Sequence, residues 1–266
     1  MTGQTPAYGR PAAAPAGAGK AAQEKPATAT RTLLGCGAAA GPLFVSAVVA
    51  QALTRPGFSL TRDAASLLDN GPWGWVQAAN FIVTGLLFIA AAAGLRRTLS
   101  AGRGSRWAPR LLTITGAGLI GGGIFHPDPS SGFPPGTPPG ASAVSSWHGA
   151  AHQVCGSAAF LALIVFCFVL ARRYQASGQR GLAACSAAAG VLCTAGVATG
   201  GAPHGSLTLF AGVSIALLWA SFRRPARDRS QPRACPVAVP PRQAVTPSPG
   251  PRPAPAGRRR PSGDHS

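Results

Sequence analysis

The sequence predicts an all-α polytopic membrane protein, a six-helix transmembrane bundle between disordered cytoplasmic tails. Two observations predict this fold class. The first is composition, because 46% of the 266 residues are hydrophobic and only 11% are charged, about half the charged share of a soluble domain. The second is pattern, because the hydrophobic residues fall in six long runs and the basic residues concentrate between alternate runs. Such a chain cannot cover a surface that faces water.

Each apolar run has roughly 17 to 24 residues, which at about 1.5 Å per residue crosses a hydrocarbon core of about 30 Å with a modest tilt. The third and sixth are the shortest. The six predicted spans are Leu33 to Leu53, Trp75 to Leu95, Ala108 to Phe125, His148 to Ala171, Gly181 to Thr199 and Ser206 to Phe222.

The distribution of basic residues predicts the orientation. Of the 24 Lys and Arg residues, 22 lie in the two tails and in the second and fourth connections. Only Arg55 and Arg62 lie in the other connections. Because cytoplasmic loops carry the excess of basic residues, both termini are expected in the cytoplasm of a multi-pass protein of the cell membrane.

The chain is expected to have one membrane domain, residues 33–222, between two tails. Residues 1–32 are rich in Ala, Pro, Gly and Thr without a hydrophobic period, and residues 223–266 combine proline with arginine. Neither composition supports a packed core, so both are predicted to be disordered. The expected partners are the lipid bilayer and, at the basic tails, anionic lipid. Nucleic acid is not expected, because the basic residues form no stripe with interleaved aromatic residues.

Histidines mark the candidate site. His148 and His152 are spaced i, i+4 at the start of the fourth span, so one helix face could present both rings to a divalent metal such as zinc. His204, before the sixth span, is the expected third ligand, and Asp128 and His126 are alternatives. Three ligands and a bound water would form an outward-facing hydrolytic centre. The alternative is a hydrogen-bond network that closes the outer face of the bundle.

A second polar cluster lies within the second span. Gln77, Asn80 and Thr84 share one helix face. Polar groups at membrane depth turn inward and find partners. This polar intramembrane face therefore predicts either a contact between helices or, as the alternative, a path for a substrate.

Two stretches carry a family resemblance. RPGFSLTRDAASLLDNGPWGWVQAANFIVTGLL at residues 55–87 and HPDPSSGFPPGTP at residues 126–138, with the His148 and His152 pair, resemble the bacterial and fungal membrane family known as domain of unknown function 998. The similarity covers about residues 33–222 and implies a multi-helix membrane protein, but no reaction. The acidic stretch around Asp63 departs from the expected pattern, which has a histidine followed by Ser-Ser-Leu.

A looser similarity is to the membrane hydrolases that include alkaline ceramidases and adiponectin-type receptors, which use a serine, an aspartate and three histidines around zinc. Ser66 and Asp128 are the candidate catalytic residues under this analogy, beside the three histidines. The first functional hypothesis is a membrane protein of unknown biochemical role with an outward-facing His/Asp cluster. The alternatives are a metal-dependent membrane hydrolase acting on lipid-like substrates, and a transport or accessory subunit.

Overall fold

The computed structural model describes residues 16–99, 101–140, 145–200 and 205–222, with side chains from Thr28 onward. In these residues the prediction of an all-α membrane bundle is confirmed, because six long helices account for most of them and none forms a strand. The six helices are α1 (Ala16–Thr54), α2 (Gly74–Thr98), α3 (Trp107–Ile124), α4 (Trp147–Ala176), α5 (Arg180–Thr199) and α6 (Gly205–Phe222). A short 3-10 helix, Ala65–Asp69, lies between α1 and α2.

Two of the helices extend beyond their predicted spans. α2 ends at Thr98 and α4 at Ala176, beyond the predicted ends at Leu95 and Ala171. Hydropathy falls where arginines begin, but a helix can continue through arginine because this residue has good helix propensity.

The first helix also begins earlier than the first apolar run. α1 begins at Ala16, inside the segment 1–32 that composition predicts to be a tail. Alanine has the highest helix propensity, so an alanine-rich segment forms a helix without a hydrophobic period. Residues 1–15 and the tail 223–266 lie outside the described residues.

Four helical segments satisfy the length and hydropathy of a membrane span: Thr28–Thr54, Gly74–Thr98, Trp147–Ala176 and Arg180–Thr199. The remaining two helices, α3 and α6, have 18 residues each, which at about 1.5 Å per residue still gives roughly 27 Å. They are the two helices whose runs are shortest in the sequence. α3 packs against α2 and α4, and α6 packs against α5 and α1. Both are therefore part of the same bundle as the longer helices.

The helices form a closed ring. Each packs on its neighbours in the chain, and α1 packs on α6. Neighbouring helices are antiparallel, as the contacts of Gly123 with Ala78 and of Gly116 with Gly85 show for α2 and α3. One end of the ring therefore carries residues 55–73, 125–140 and 145–146, here called the capped end. The opposite end carries residues 99, 101–106 and 177–179, here called the arginine end.

Glycines bring the helix backbones into contact. A Cβ atom built on Gly116 would lie 2.5 Å from the carbonyl oxygen of Gly85, and one on Gly196 would lie 2.6 Å from that of Thr208. These positions admit no side chain. In a bilayer, where helices gain little by hiding apolar surface from one another, such close packing is a main source of association.

Two loops cover the capped end. Phe133 of the second loop is 1% exposed and meets the ring of Phe58 edge-on at a centroid distance of 5.2 Å. The guanidinium of Arg55 lies 5.4 Å from the Phe133 centroid and donates hydrogen bonds to the carbonyl oxygens of Leu68 and Asn70. Because the Phe133 side chain contacts both the Phe58 ring and the Arg55 guanidinium, it joins the two loops.

Candidate functional site

A cavity of about 380 Å³ lies inside the ring, in the half nearest the capped end. All six helices and the 3-10 helix contribute to its wall. Most of the lining is apolar, from side chains that include Phe44, Phe81, Leu119, Phe160 and Phe210. The volume falls in the range of small-molecule pockets, about 300–1,000 Å³.

The cavity is open on one side. Among its lining residues, Gln153 and Ser157 of α4 and Val197 of α5 are exposed. From these exposed residues we infer that the cavity opens between α4 and α5. The opening lies on the side of the bundle, where helices of a membrane protein meet lipid.

His152 is the main polar group of the cavity wall. The residue is 5% exposed, and its Nδ1 lies 3.0 Å from the carbonyl oxygen of Gly122 and 2.8 Å from that of Phe125. Both carbonyls are at the C-terminal end of α3, where backbone acceptors lack intrahelical donors. A carbonyl can only accept, so Nδ1 carries the hydrogen and the ring is fixed against α3.

The other polar lining residues are neutral. Ser66 of the 3-10 helix and Gln153 and Ser157 of α4 lie around the cavity with His152. No Lys, Arg, Asp or Glu is among the described residues that line it. The cavity therefore offers hydrogen-bonding groups without a fixed charge.

The structure gives the described residues of the predicted metal site different surroundings. His148 is exposed and stacks on Trp147, with 3.5 Å between the ring centroids, whereas His152 lies in the cavity wall. His204 lies outside the described residues. Among the residues the structure does describe, no group of three His, Cys, Asp or Glu side chains could hold a metal ion. The three-histidine site with zinc stays a prediction, because its third ligand is not described.

The two candidate catalytic residues have different surroundings, with Ser66 in the cavity wall and Asp128 against the start of α4. One Asp128 carboxylate oxygen accepts a hydrogen bond from the backbone N–H of Ser146 at 3.0 Å, and the carboxylate lies against Gly149, where a side chain would collide with it. Hydrogen bonds from Ser146 lower the pKa of Asp128, and the charge of His148 acts in the same direction. A negative charge at a helix N-terminus is favourable. In this position Asp128 acts as a cap of α4.

Asp69 and His126 form a pair that the sequence pattern did not single out. The Asp69 carboxylate is fully buried, and one of its oxygens lies 2.8 Å from Nδ1 of the half-exposed His126 ring. Burial raises the pKa of Asp69, while the hydrogen bond from His126 and the positive charge of a protonated His126 or His152 oppose that shift. The separation of 57 positions in the sequence between the two partners explains why spacing gave no signal. The pair ties the first loop to the end of α3.

Asp63, the residue that departs from the expected family pattern, has a structural position. Its side chain is fully buried, and both carboxylate oxygens lie 2.9 Å from guanidinium nitrogens of Arg62. The backbone N–H of Ser59 donates a further hydrogen bond to it. This carboxylate therefore holds the first loop in shape.

The second polar cluster lies between α1 and α2. The amide of Gln51 on α1 donates to Oε1 of Gln77 at 2.8 Å, Asn80 donates to the carbonyl oxygen of Phe44, and Thr84 donates to Asn80. Gln77, Asn80 and Thr84 are at most 5% exposed. The partner that sequence reasoning missed is Gln51, whose signal was a lone amide inside an apolar run. These bonds join two helices.

The fold and this cavity together define a helical integral membrane protein. The family model described as "Protein of unknown function (DUF998)" matches residues 38–226, and the chain belongs to this family. The match confirms the resemblance drawn from residues 55–87 and 126–138. No curated protein and no solved structure matches the chain.

Proposed function

We propose that the protein binds a small amphiphilic molecule of the membrane in the cavity inside its helix ring. The observation that carries the proposal is the cavity itself, about 380 Å³ in volume, mostly apolar and bordered by exposed residues of α4 and α5. A pocket with an apolar lining and a few convergent polar groups is the usual form of a small-molecule site. The polar groups here are His152, Ser66 and Ser157.

The geometry offers a substitution that fills the cavity without disturbing the helices. Gly156 lines the cavity, and a Cβ atom added there meets no other atom within 4 Å. Gly156→Leu should therefore occupy the ligand's space and preserve the bundle. Gly35→Leu is the matched control, because Gly35 is exposed on α1 and its added Cβ also meets nothing within 4 Å.

The test uses three photoreactive single-chain probes with the same alkyl chain and different head groups: an alcohol, a carboxylate and a quaternary ammonium. Each is added to the protein in vesicles and irradiated, and the labelled peptides are identified by mass spectrometry. We expect at least one probe to label the cavity side of α4 around Gln153, with labelling reduced at least tenfold by Gly156→Leu and unchanged by Gly35→Leu. Equal labelling in both variants would contradict the proposal.

The alternative function, a metal-dependent hydrolase, would require the three predicted histidine ligands to converge on one metal ion. His152 could still offer Nε2 to a metal, but His148 would have to leave Trp147, and the predicted third ligand, His204, lies outside the described residues. The transport alternative requires a polar path through the bundle. The polar side chains of α2 instead hydrogen-bond to α1 and to one another, which favours a structural role for them.

We also propose that the arginine end faces the cytoplasm and contacts anionic lipid, together with the basic tails. Among the residues whose side chains the structure describes, the arginine end and the adjoining helix turns carry Arg96, Arg97, Arg103, Arg106, Arg110, Arg172, Arg173 and Arg180, and no acidic residue. Basic residues are retained on the cytoplasmic side during insertion, and there they attract anionic lipids.

Cysteine labelling tests this orientation. In a variant without its native cysteines, Thr61→Cys at the capped end should react with an impermeant maleimide added to intact cells. Ala101→Cys at the arginine end should react only after the cells are opened. Both positions are exposed, so accessibility alone does not separate them. Labelling of Ala101→Cys in intact cells would reverse the orientation.

A further inference from the structure

The chemistry of the cavity wall narrows the class of ligand, an inference that rests on the proposed function. We propose that the cavity selects an amphiphile with a neutral hydrogen-bond donor as its head group, above all a hydroxyl, and that Nε2 of His152 accepts this hydrogen bond. The ligand class is thus a membrane-soluble alcohol, as distinct from a fatty acid, a phosphate ester or a cationic lipid.

The hydrogen bonds of His152 determine what its second nitrogen can do. Because Nδ1 faces the carbonyl oxygens of Gly122 and Phe125, the hydrogen of the neutral ring is on Nδ1 and the lone pair is on Nε2. None of the hydrogen bonds among the described residues uses Nε2. A neutral histidine held in this way presents a single acceptor to the cavity that it lines.

The surroundings of the cavity exclude a charged head group. An anionic head group would need a cation, but no arginine or lysine is among the described lining residues, and those of α2 to α5 lie at the arginine end. A cationic head group would need a free carboxylate. Among the acids whose side chains the structure describes, Asp63 is bound to Arg62, Asp69 to His126 through one of its two oxygens, and Asp128 to Ser146, and none of them lines the cavity. A charge left unpaired in an apolar cavity is strongly unfavourable.

The remaining lining fits the rest of an alcohol. Ser66 and Ser157 carry hydroxyl groups that can donate or accept, so a ligand hydroxyl that donates to His152 can also accept a hydrogen bond. The aromatic side chains Phe44, Phe81 and Phe160 line the same cavity. They give the apolar body of the molecule a surface to pack against.

A competition experiment in the same vesicles tests the head group. The photoreactive probe that labels the cavity is displaced by unlabelled molecules of one chain length that end in a hydroxyl, a carboxylate or a quaternary ammonium. We expect the alcohol to compete at about a tenfold lower concentration than either charged molecule. Preference for the carboxylate or the ammonium would overturn the inference.

The variant His152→Asn tests the role of Nε2 as acceptor separately from the hydrogen bonds that Nδ1 donates to α3. The asparagine amide can still donate to the carbonyl oxygen of Phe125, but it has no counterpart of Nε2. We expect the variant to keep the parent's elution volume and thermal midpoint while the preference for the alcohol falls about tenfold, to near equality. An unchanged preference in a folded His152→Asn protein would contradict the role of Nε2. If all head groups compete equally but Gly156→Leu still abolishes labelling, the cavity function stands and the head-group inference fails.

Discussion

Replacing Gly116 with leucine should strongly destabilise the bundle. A Cβ atom at this position would lie 2.5 Å from the carbonyl oxygen of Gly85 and 2.9 Å from a side-chain carbon of Ile89, and the reciprocal Cβ on Gly85 would collide with the carbonyl oxygen of Gly116. The obstacle is backbone, which cannot change rotamer. The two helices must separate, and with them the ring.

We expect Gly116→Leu to lower the free energy of unfolding by at least about 3 kcal/mol, the upper end of typical overpacking costs. Size-exclusion profiles and thermal midpoints in detergent measure the effect. Gly35→Leu is again the control, because it adds the same side chain and the same helix propensity at an open position. A Gly116→Leu protein as stable as Gly35→Leu would show that α2 and α3 do not touch at these glycines.

The second large effect is expected at the loops of the capped end. Phe133→Ala removes the 1%-exposed ring that meets Phe58 and Arg55. Truncation of a buried phenylalanine to alanine costs about 3–5 kcal/mol. Because this side chain joins two loops, we expect the cost to appear as local opening of the loops, with the helices retained.

Hydrogen exchange measures that opening directly. In Phe133→Ala, amide exchange in residues 126–140 should rise at least about a hundredfold, which corresponds to roughly 3 kcal/mol. Exchange within α2 and α3 should stay near that of the parent. Phe133→Leu is the matched variant, since it keeps much of the apolar volume and is expected to change exchange far less. Uniform acceleration throughout the helices would show that the loops are part of the global fold.

The helices were predictable because their signals are local. The runs beginning at Trp75, Ala108 and Gly181 each start one residue inside the observed helices, since a bilayer requires continuous apolar stretches of fixed length. Hydropathy gives no comparable account of α1 before Thr28. There the helix depends on alanine propensity.

The cavity was not predictable, because it depends on how six helices rotate and close into a ring. His148 and His152 are four residues apart, yet one stacks on Trp147 at the surface and the other lies in the cavity wall. Apolar side chains occur on every face of a span, so hydropathy does not fix the rotation of a helix. Contacts between distant residues, such as Gly118 against Cys155 and Ala159, fix it instead.

The inferred opening between α4 and α5 determines which ligand concentration sets the occupancy of the cavity. With loops packed over the capped end, a molecule that reaches His152 through this side opening comes from the lipid phase. Its occupancy then follows its mole fraction among the lipids, and its concentration in water matters only through partitioning. A hydrophobic alcohol that is scarce in solution can be abundant within the bilayer, so even a weak intrinsic interaction can fill the cavity. Diluting such a membrane with inert lipid should empty the cavity at constant total ligand.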